Sequence, residues 1–160
     1  RSDMRRKDRE IKKTDEILRI AESAKILHLG LSDGDFPYVV PLHYGFEYTD
    51  KALVFYTHGA AEGHKIDLIR ADGRVCVELE CGVEAVSGGE IPCAYGSLFA
   101  SVIGRGYAEI VTDTAEKIHG LSVLMKTQTG RDFEIGEKAA ASVCVIKITV
   151  ADFTAKARTA

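Results

Sequence analysis

The sequence predicts a mainly β domain with flanking helices, an antiparallel barrel of six strands. Three observations lead there. Apolar and polar residues alternate with period two in several separate stretches. Most connections between the extended stretches are of hairpin length. Serial alternation of strand and helix is missing, which argues against a doubly wound parallel sheet.

The elements follow in chain order. "TDEILRIAESA" (14–24) opens on a Thr/Asp cap signal and spaces Ile17, Ile20, Ala21 and Ala24 along one helix face. "KILHLGLS" sets Leu27, Leu29 and Leu31 against Ile26, His28, Gly30 and Ser32, the pattern of a half-buried strand. "DGDFP" is turn chemistry. "YVVPLHYGFEY" is one extended run in which Pro41 points to an edge or irregular position. "TDK" turns the chain into "ALVFYTH", and a helix over 64–71 follows. "GRVCVELE" (73–80) places Val75, Val77 and Leu79 on one face, and residues 81–96 read as a glycine-rich irregular loop. "LFASVIGRGYAEIV" (98–111) is a long strand whose Gly104 and Gly106 mark a bulge or a close backbone approach. "TDTAEKIHGLSVLMKTQTG" is a helix capped by Asp113, with Glu116 three residues on. Its buried stripe is Ile118, Leu121 and Met125, and Gly130 stops it. "ASVCVIKITVADFTAK" is the last strand. Residues 1–13 are expected to form an N-terminal arm and residues 14–158 a single domain.

Composition narrows the function classes. With 160 residues, 46% hydrophobic and 28% charged, the chain has the make-up of one soluble globular domain. A formal net charge of only -3 gives no reason to expect nucleic acid or anionic membrane as partners. The basic cluster "RSDMRRKDREIKK" is interspersed with acids and reads as solvated. No apolar run approaches the roughly 18–20 residues of a membrane span, and no signal-peptide pattern is visible, so a cytoplasmic location is expected. Cys76, Cys81, Cys93 and Cys144 lack CxxC spacing. No metal is therefore expected, and the cysteines read as buried reduced thiols.

The chemistry concentrates in "LVFYTHGAAEGHKIDLIR" (53–70). A strand runs through a glycine-containing loop into a helix N-terminus, whose free amides and dipole favour an anion. Lys65 adds a fixed charge there. His64, Thr57 and His58 add donors, and Gly59 and Gly63 let the backbone approach closely. "GAAEGHK" is one residue short of P-loop spacing, with Ile66 where a magnesium-binding hydroxyl belongs. A plain strand–turn–helix with a surface lysine is the alternative reading.

These residues resemble a known family. "LVFYTHGAAEGHKIDLIRADGRVCVELE", with Phe55-Tyr56-Thr57, His64-Lys65 and Arg74-Val75, is similar to the core of the pyridoxamine 5′-phosphate oxidase superfamily of FMN-binding split barrels. "SVIGRGYAEIV" and "FPYVVPLHYGFEY" resemble the strands around it. The resemblance runs from about residue 8 to 158 and is closest to the nitroimidazole-reductase-like branch, through "GFEY", "FYTHGA", "GHKID", "GRGYAEIV" and "KAR". It implies a six-stranded split barrel and FMN as cofactor. Val40, Pro41 and Leu42 would lie along the flavin ring, with Tyr56 and Thr57 lining ring and ribityl chain. His64 and Lys65 would hold the phosphate. His43 reads either as a flavin contact or as structural, and His58 either as a phosphate contact or as an exposed loop residue. Phe99 and Ser101 would face the flavin of either chain of a homodimer with shared sites. The strand before the tyrosine lacks the basic residues of the vitamer oxidases, and the chain has no Trp. The implied activity is therefore not vitamer oxidation but reduction of a small, planar, electron-poor acceptor with a reduced nicotinamide.

Rival classes are a flavin or haem carrier without turnover, with His28, His43 or His58 as axial ligand, and a dimeric regulatory protein that has lost its cofactor. For the remaining candidates the plain readings are surface salt bridges for Arg105 and Arg131, a solvated helix position for His119, and core or dimer packing for Tyr95 and Phe99.

Overall fold

The computed structural model describes residues 4–160. Of the expected arm 1–13, residues 1–3 thus lie outside the described residues. The chain forms β1 (Glu10–Ile11), α1 (Thr14–Ala24), β2 (Ile26–Asp33), β3 (Phe36–His43), β4 (Gly45–Thr49) and β5 (Ala52–Gly59). Then come α2 (His64–Ala71), β6 (Arg74–Val86), β7 (Gly96–Val111), α3 (Thr114–Thr129), α4 (Glu137–Ala141) and β8 (Cys144–Arg158). All strand pairs are antiparallel, in the order β3-β2-β6-β7-β8-β5-β4, with β1 added to β8.

The two ends of that order, β3 and β4, are consecutive in the chain and separated only by Tyr44. A sheet whose first and last strands are joined by one residue must curl until its edges meet at that corner. No ladder joins them along their length, so the barrel is split. Pro37 and Pro41 sit on the edge strand β3, where a missing N–H costs no ladder bond.

The inside is apolar because of the strand alternation. Leu27, Leu29 and Leu31 of β2, Val75, Val77 and Leu79 of β6, and Leu53 and Phe55 of β5 share one core with Ile17, Ile20 and Ala21 of α1. β5 is buried on both faces: Val54 and Tyr56 belong to a second cluster with Val111, Leu121, Ala140 and Val145 beneath α3. Asp50 and Lys51, both at positive φ, make the tight turn between β4 and β5.

Five details differ from the sequence reading. There are eight strands rather than six, because Tyr44 breaks the 38–48 run and because β1, from the expected arm, pairs with β8. α1 is preceded by Lys13, with no side-chain cap from Thr14 or Asp15. Residues 81–86 are not loop. β6 bulges between Cys81 and Glu84 and then pairs with β7 as far as Val86 opposite Gly96, since Gly82, at φ 64°, permits the bulge. In α3 the buried stripe is Gly120, Leu121, Leu124 and Thr127, while Ile118 and Met125 are only partly covered; Asp113 does cap it through Glu116 N at 3.0 Å. Of the cysteines only Cys144 is buried; Cys76 and Cys93 are exposed and Cys81 is half-buried.

Two helices pin the corner. Tyr44 is fully buried and its hydroxyl donates to Ala21 O at 2.6 Å, at the end of α1, while its ring meets Phe55 edge-on at 5.3 Å. Burial pushes this phenol far above its usual range. Gln128 of α3 donates to both Lys25 O (2.9 Å) and Tyr44 O (2.8 Å), and Phe46 N donates to Thr127 Oγ1 at 3.2 Å. Gly45 lies against the α3 backbone so closely that a Cβ would fall 2.2 Å from Leu124 N. Gly45→Ala must therefore displace α3, and a loss of about 2 kcal/mol or more is expected in urea unfolding. An unchanged midpoint would mean that the corner is not tightly packed.

Candidate functional site

β5 ends at Gly59, and Gly63 turns the chain with φ 142°, a conformation that suits glycine, into α2. No side chain caps α2, and the first in-helix amide bond runs from Asp67 N to Gly63 O at 3.1 Å. The amides of His64, Lys65 and Ile66 are therefore left without helical acceptors. Lys65 folds back over the strand end: a Cβ on Gly59 would lie 3.4 Å from its Nζ. Among the described residues no ion pair engages Lys65. Thr57, two residues before Gly59, is 1% exposed, and its Oγ1 has no hydrogen-bond partner. A buried hydroxyl without a partner costs on the order of 1–3 kcal/mol unless a ligand completes it. His64 Nε2 lies 2.6 Å from Asp33 Oδ2, and the Tyr38 ring meets the imidazole edge-on at 4.9 Å. These two contacts tie the start of α2 to the β2–β3 hairpin. The whole gathers groups that could hold an anion at one end of the barrel.

The other expected residues divide by strand face. Val40 and Leu42 pack toward the core from β3, while Pro41 and His43 are exposed on the outside. β3 is an edge strand, so one row of its backbone groups is free for a ligand. From Tyr38, beside His64, it leads away through Val40 to His43. Tyr56 is a correction. Its side chain lies on the opposite face of β5 from Thr57, under α3, where its hydroxyl donates to Glu47 Oε1 at 3.3 Å. A Cβ on Gly120 would meet its ring at 2.7 Å, so the ring is fixed there. Burial first, and the Glu47 charge second, push its phenol up to about 12. His58, exposed, shares that outer side.

Phe99 and Ser101 are also set apart. Ser101 pairs with Glu80 and Lys156, whereas Thr57 is in line with Ile146 and Ile110. Ile110 stands nine positions beyond Ser101 on β7, about 30 Å along the strand. One chain's Ser101 cannot share a ligand with its own Thr57. Asp33 and Tyr38 were missed by the sequence reading. They fall in a turn and at an edge, and only the fold brings them to α2.

The remaining histidines are engaged. His119 pairs with Glu47 at 3.0 Å rather than standing free. On the outer face of β2 and β6, His28 lies beside Glu78 and Glu80. Burial, then Glu80, raises Glu78 to about 7. His28 Nδ1 is thus engaged by carboxylates, and His43 and His58 are exposed on different strands. Arg105 pairs with Asp152 at 3.2 Å, and Arg131 lies over Phe133 at 4.9 Å.

An antiparallel split barrel with an anion seat where β5 gives way to α2 defines a class of small ligand-binding domains. Within it, the model of the pyridoxamine 5′-phosphate oxidase family matches residues 13–157, and the chain belongs to that family. Among solved structures, a candidate 5-nitroimidazole antibiotic resistance protein from Bacteroides thetaiotaomicron is 30% identical, with 92% of this chain and 86% of that one covered and a TM-score of 0.75. A FAD-binding protein from Mesorhizobium loti is 23% identical (92% and 96% covered, TM-score 0.62). A FAD and heme binding protein from Mycobacterium smegmatis is 13% identical (95% and 74% covered, TM-score 0.76). Comparison with curated proteins found no match. No helix among the described residues is long and apolar enough to cross a membrane.

The division of β5 by face has a direct test. Thr57→Val is expected to stabilise the ligand-free protein by about 1 kcal/mol, because it removes an unpartnered buried hydroxyl, yet to weaken flavin binding about five- to tenfold. Tyr56→Phe is expected to change flavin affinity less than about twofold and to lose about 1 kcal/mol of stability. Thermal melts and fluorescence titration read both; the reverse pattern would exchange the roles of the two faces.

Proposed function

We propose that this chain is an FMN-dependent oxidoreductase that reduces a small, planar, electron-poor acceptor, nitroaromatic in character, with a reduced nicotinamide as donor. The observation that carries the reading is the seat itself: an uncapped helix N-terminus, a lysine in no ion pair and a buried hydroxyl without a partner at one strand end. These are complementary to a phosphate monoester. Lys65 neutralises the phosphate, the α2 amides and the Thr57 hydroxyl donate to it, and His64 stands beside Lys65 at the start of the helix. The free edge of β3 offers carbonyl groups, with N–H groups only between the prolines Pro37 and Pro41 and beyond them, to the heteroatom rim of a flavin ring, and Val40 and Leu42 supply apolar cover.

Bound flavin supplies hydride chemistry, which protein side chains do not. No side chain is assigned a proton-transfer role. The acceptor class draws support from the 30% identical relative, described as a candidate resistance protein against 5-nitroimidazoles. FMN rather than FAD follows from one helix N-terminus, which accommodates one phosphate well. The Mesorhizobium and Mycobacterium proteins are FAD binders, so that choice is open to a direct comparison.

A homodimer belongs to the same reading. Phe99 and Ser101 are too far from the Thr57 seat of their own chain, and they adjoin exposed Ile103 (48%) on the outer face of β7. Packed against a second copy, this face would present them to the partner's flavin.

Lys65→Ala is expected to weaken FMN about ten- to hundredfold and to leave riboflavin unchanged, in flavin-fluorescence titration. Equal FMN affinity in the variant, or riboflavin bound as tightly as FMN by the wild type, would remove the phosphate seat. FAD binding more tightly than FMN would remove the choice of cofactor. Phe99→Asp is expected to yield monomers in light scattering and to release flavin; a monomer with wild-type FMN affinity would disprove the shared site. Acceptor turnover with NADH or NADPH on the loaded protein tests the reaction.

A further inference from the structure

The cluster on the outer face of β2 and β6 is not absorbed by the flavin reading. His28 pairs with Glu78 in the ladder, and Glu80 follows two positions on, so all three side chains emerge on one side of the sheet. Their ligand atoms lie within 4.8 Å of one another. His28 Nδ1 is 3.1 Å from Glu78 Oε2 and 3.5 Å from Glu80 Oε2.

Hydrogen bonding alone does not satisfy this arrangement. Nδ1 can donate at most one proton, and the closer carboxylate is the better placed to accept it. Glu80 Oε2 is left shut off from solvent with no hydrogen-bond partner. No basic residue stands directly across from the cluster; the nearest on the flanking strands are His43, two positions from Pro41, and Arg105, two positions from Ile103 and paired with Asp152. The positions across from the cluster are Pro41 on β3 and Ile103 and Ser101 on β7. Lys156 stands one strand further, with its Nζ over the Phe99 ring at 5.6 Å. Two carboxylates, which repel each other unless they share a proton, are thus held together with one imidazole between them.

A cation answers all three. With bonds of about 2.1 Å to nitrogen and oxygen, its ligands stand about 3.0 Å apart at right angles and about 3.4 Å apart in a tetrahedron. The two measured separations, 3.1 and 3.5 Å, match that spacing. We propose that His28, Glu78 and Glu80 form a binding site for a divalent first-row transition cation, its remaining positions filled by water. One imidazole with two carboxylates suits zinc or manganese, whereas calcium and magnesium prefer all-oxygen shells. The site is distinct from the anion seat and stands or falls independently of the flavin.

The test is calorimetric titration of chelator-treated full-length protein with Zn²⁺, and separately with Mn²⁺ and Ca²⁺. One Zn²⁺ or Mn²⁺ per chain is expected, with a rise in melting temperature on binding. His28→Ala and Glu80→Gln should each weaken binding by about tenfold or more. His119→Ala, which removes the other histidine–carboxylate pair outside the seat, should leave it unchanged. Glu80→Gln relieves carboxylate crowding, so in chelator its melting temperature should equal or exceed the wild type's, which separates lost ligation from lost folding. No binding, Ca²⁺ bound as tightly as Zn²⁺ and Mn²⁺, or wild-type affinity in His28→Ala and Glu80→Gln (an adventitious ion only) would each overturn the site.

Discussion

The Tyr44–Gly45 corner is the constraint on which the rest of the molecule depends. It joins the two ends of the strand order, so it alone converts a long antiparallel sheet into a barrel. A bend there would expose backbone groups and strain two strands unless its neighbours answered them. The neighbours do so: Gln128 covers two carbonyls, Thr127 takes the Phe46 amide, and Tyr44 closes on the end of α1. The glycine is required because the α3 backbone occupies the place of a side chain.

Closing the barrel has consequences at its far end. β5 is held between β4 and β8 and covered on both faces, so Thr57, on its inward face, is shut off from solvent. α2 then packs its Ile66 and Ile69 into the barrel and brings Lys65 at its uncapped start over Gly59 at the end of β5. The β2–β3 hairpin reaches the same place through Asp33 and Tyr38. The seat is therefore assembled from three segments far apart in sequence, each placed by the strand order. Rigid elements supply every part, which suits a site whose work is to hold a cofactor in one orientation.

The opposite faces of the same strands have separate uses. Under α3, Tyr56, Glu47 and His119 form a polar cluster that fastens the helix to the sheet. On β2 and β6, the outward alternation that buries six aliphatic residues inside also gathers His28, Glu78 and Glu80 outside. A period of two thus sorts chemistry by face as firmly as it sorts hydrophobicity.

Local sequence determined much of this protein. Period-two runs gave the main strands, Asp113 and Gly130 bounded α3, Pro41 marked an edge, and Gly104 and Gly106 marked the close approach of β7 to β8. Gly63-His64-Lys65 marked the start of α2, because the unpaired amides at a helix start are a property of a few consecutive residues. Tertiary structure decided the rest. β1 exists only because β8 offers an edge, and the 38–48 run breaks only because β3 and β4 lie at opposite ends of the sheet. Glycine at 82 looks the same in a loop or a bulge until β7 is placed beside it. Tyr56 and Thr57 are adjacent in sequence, yet which of them faces the barrel depends on where α3 packs. Asp33, Tyr38 and the His28–Glu78–Glu80 group carry no local signal at all, since their meaning lies in contacts between segments that only a strand order can bring together.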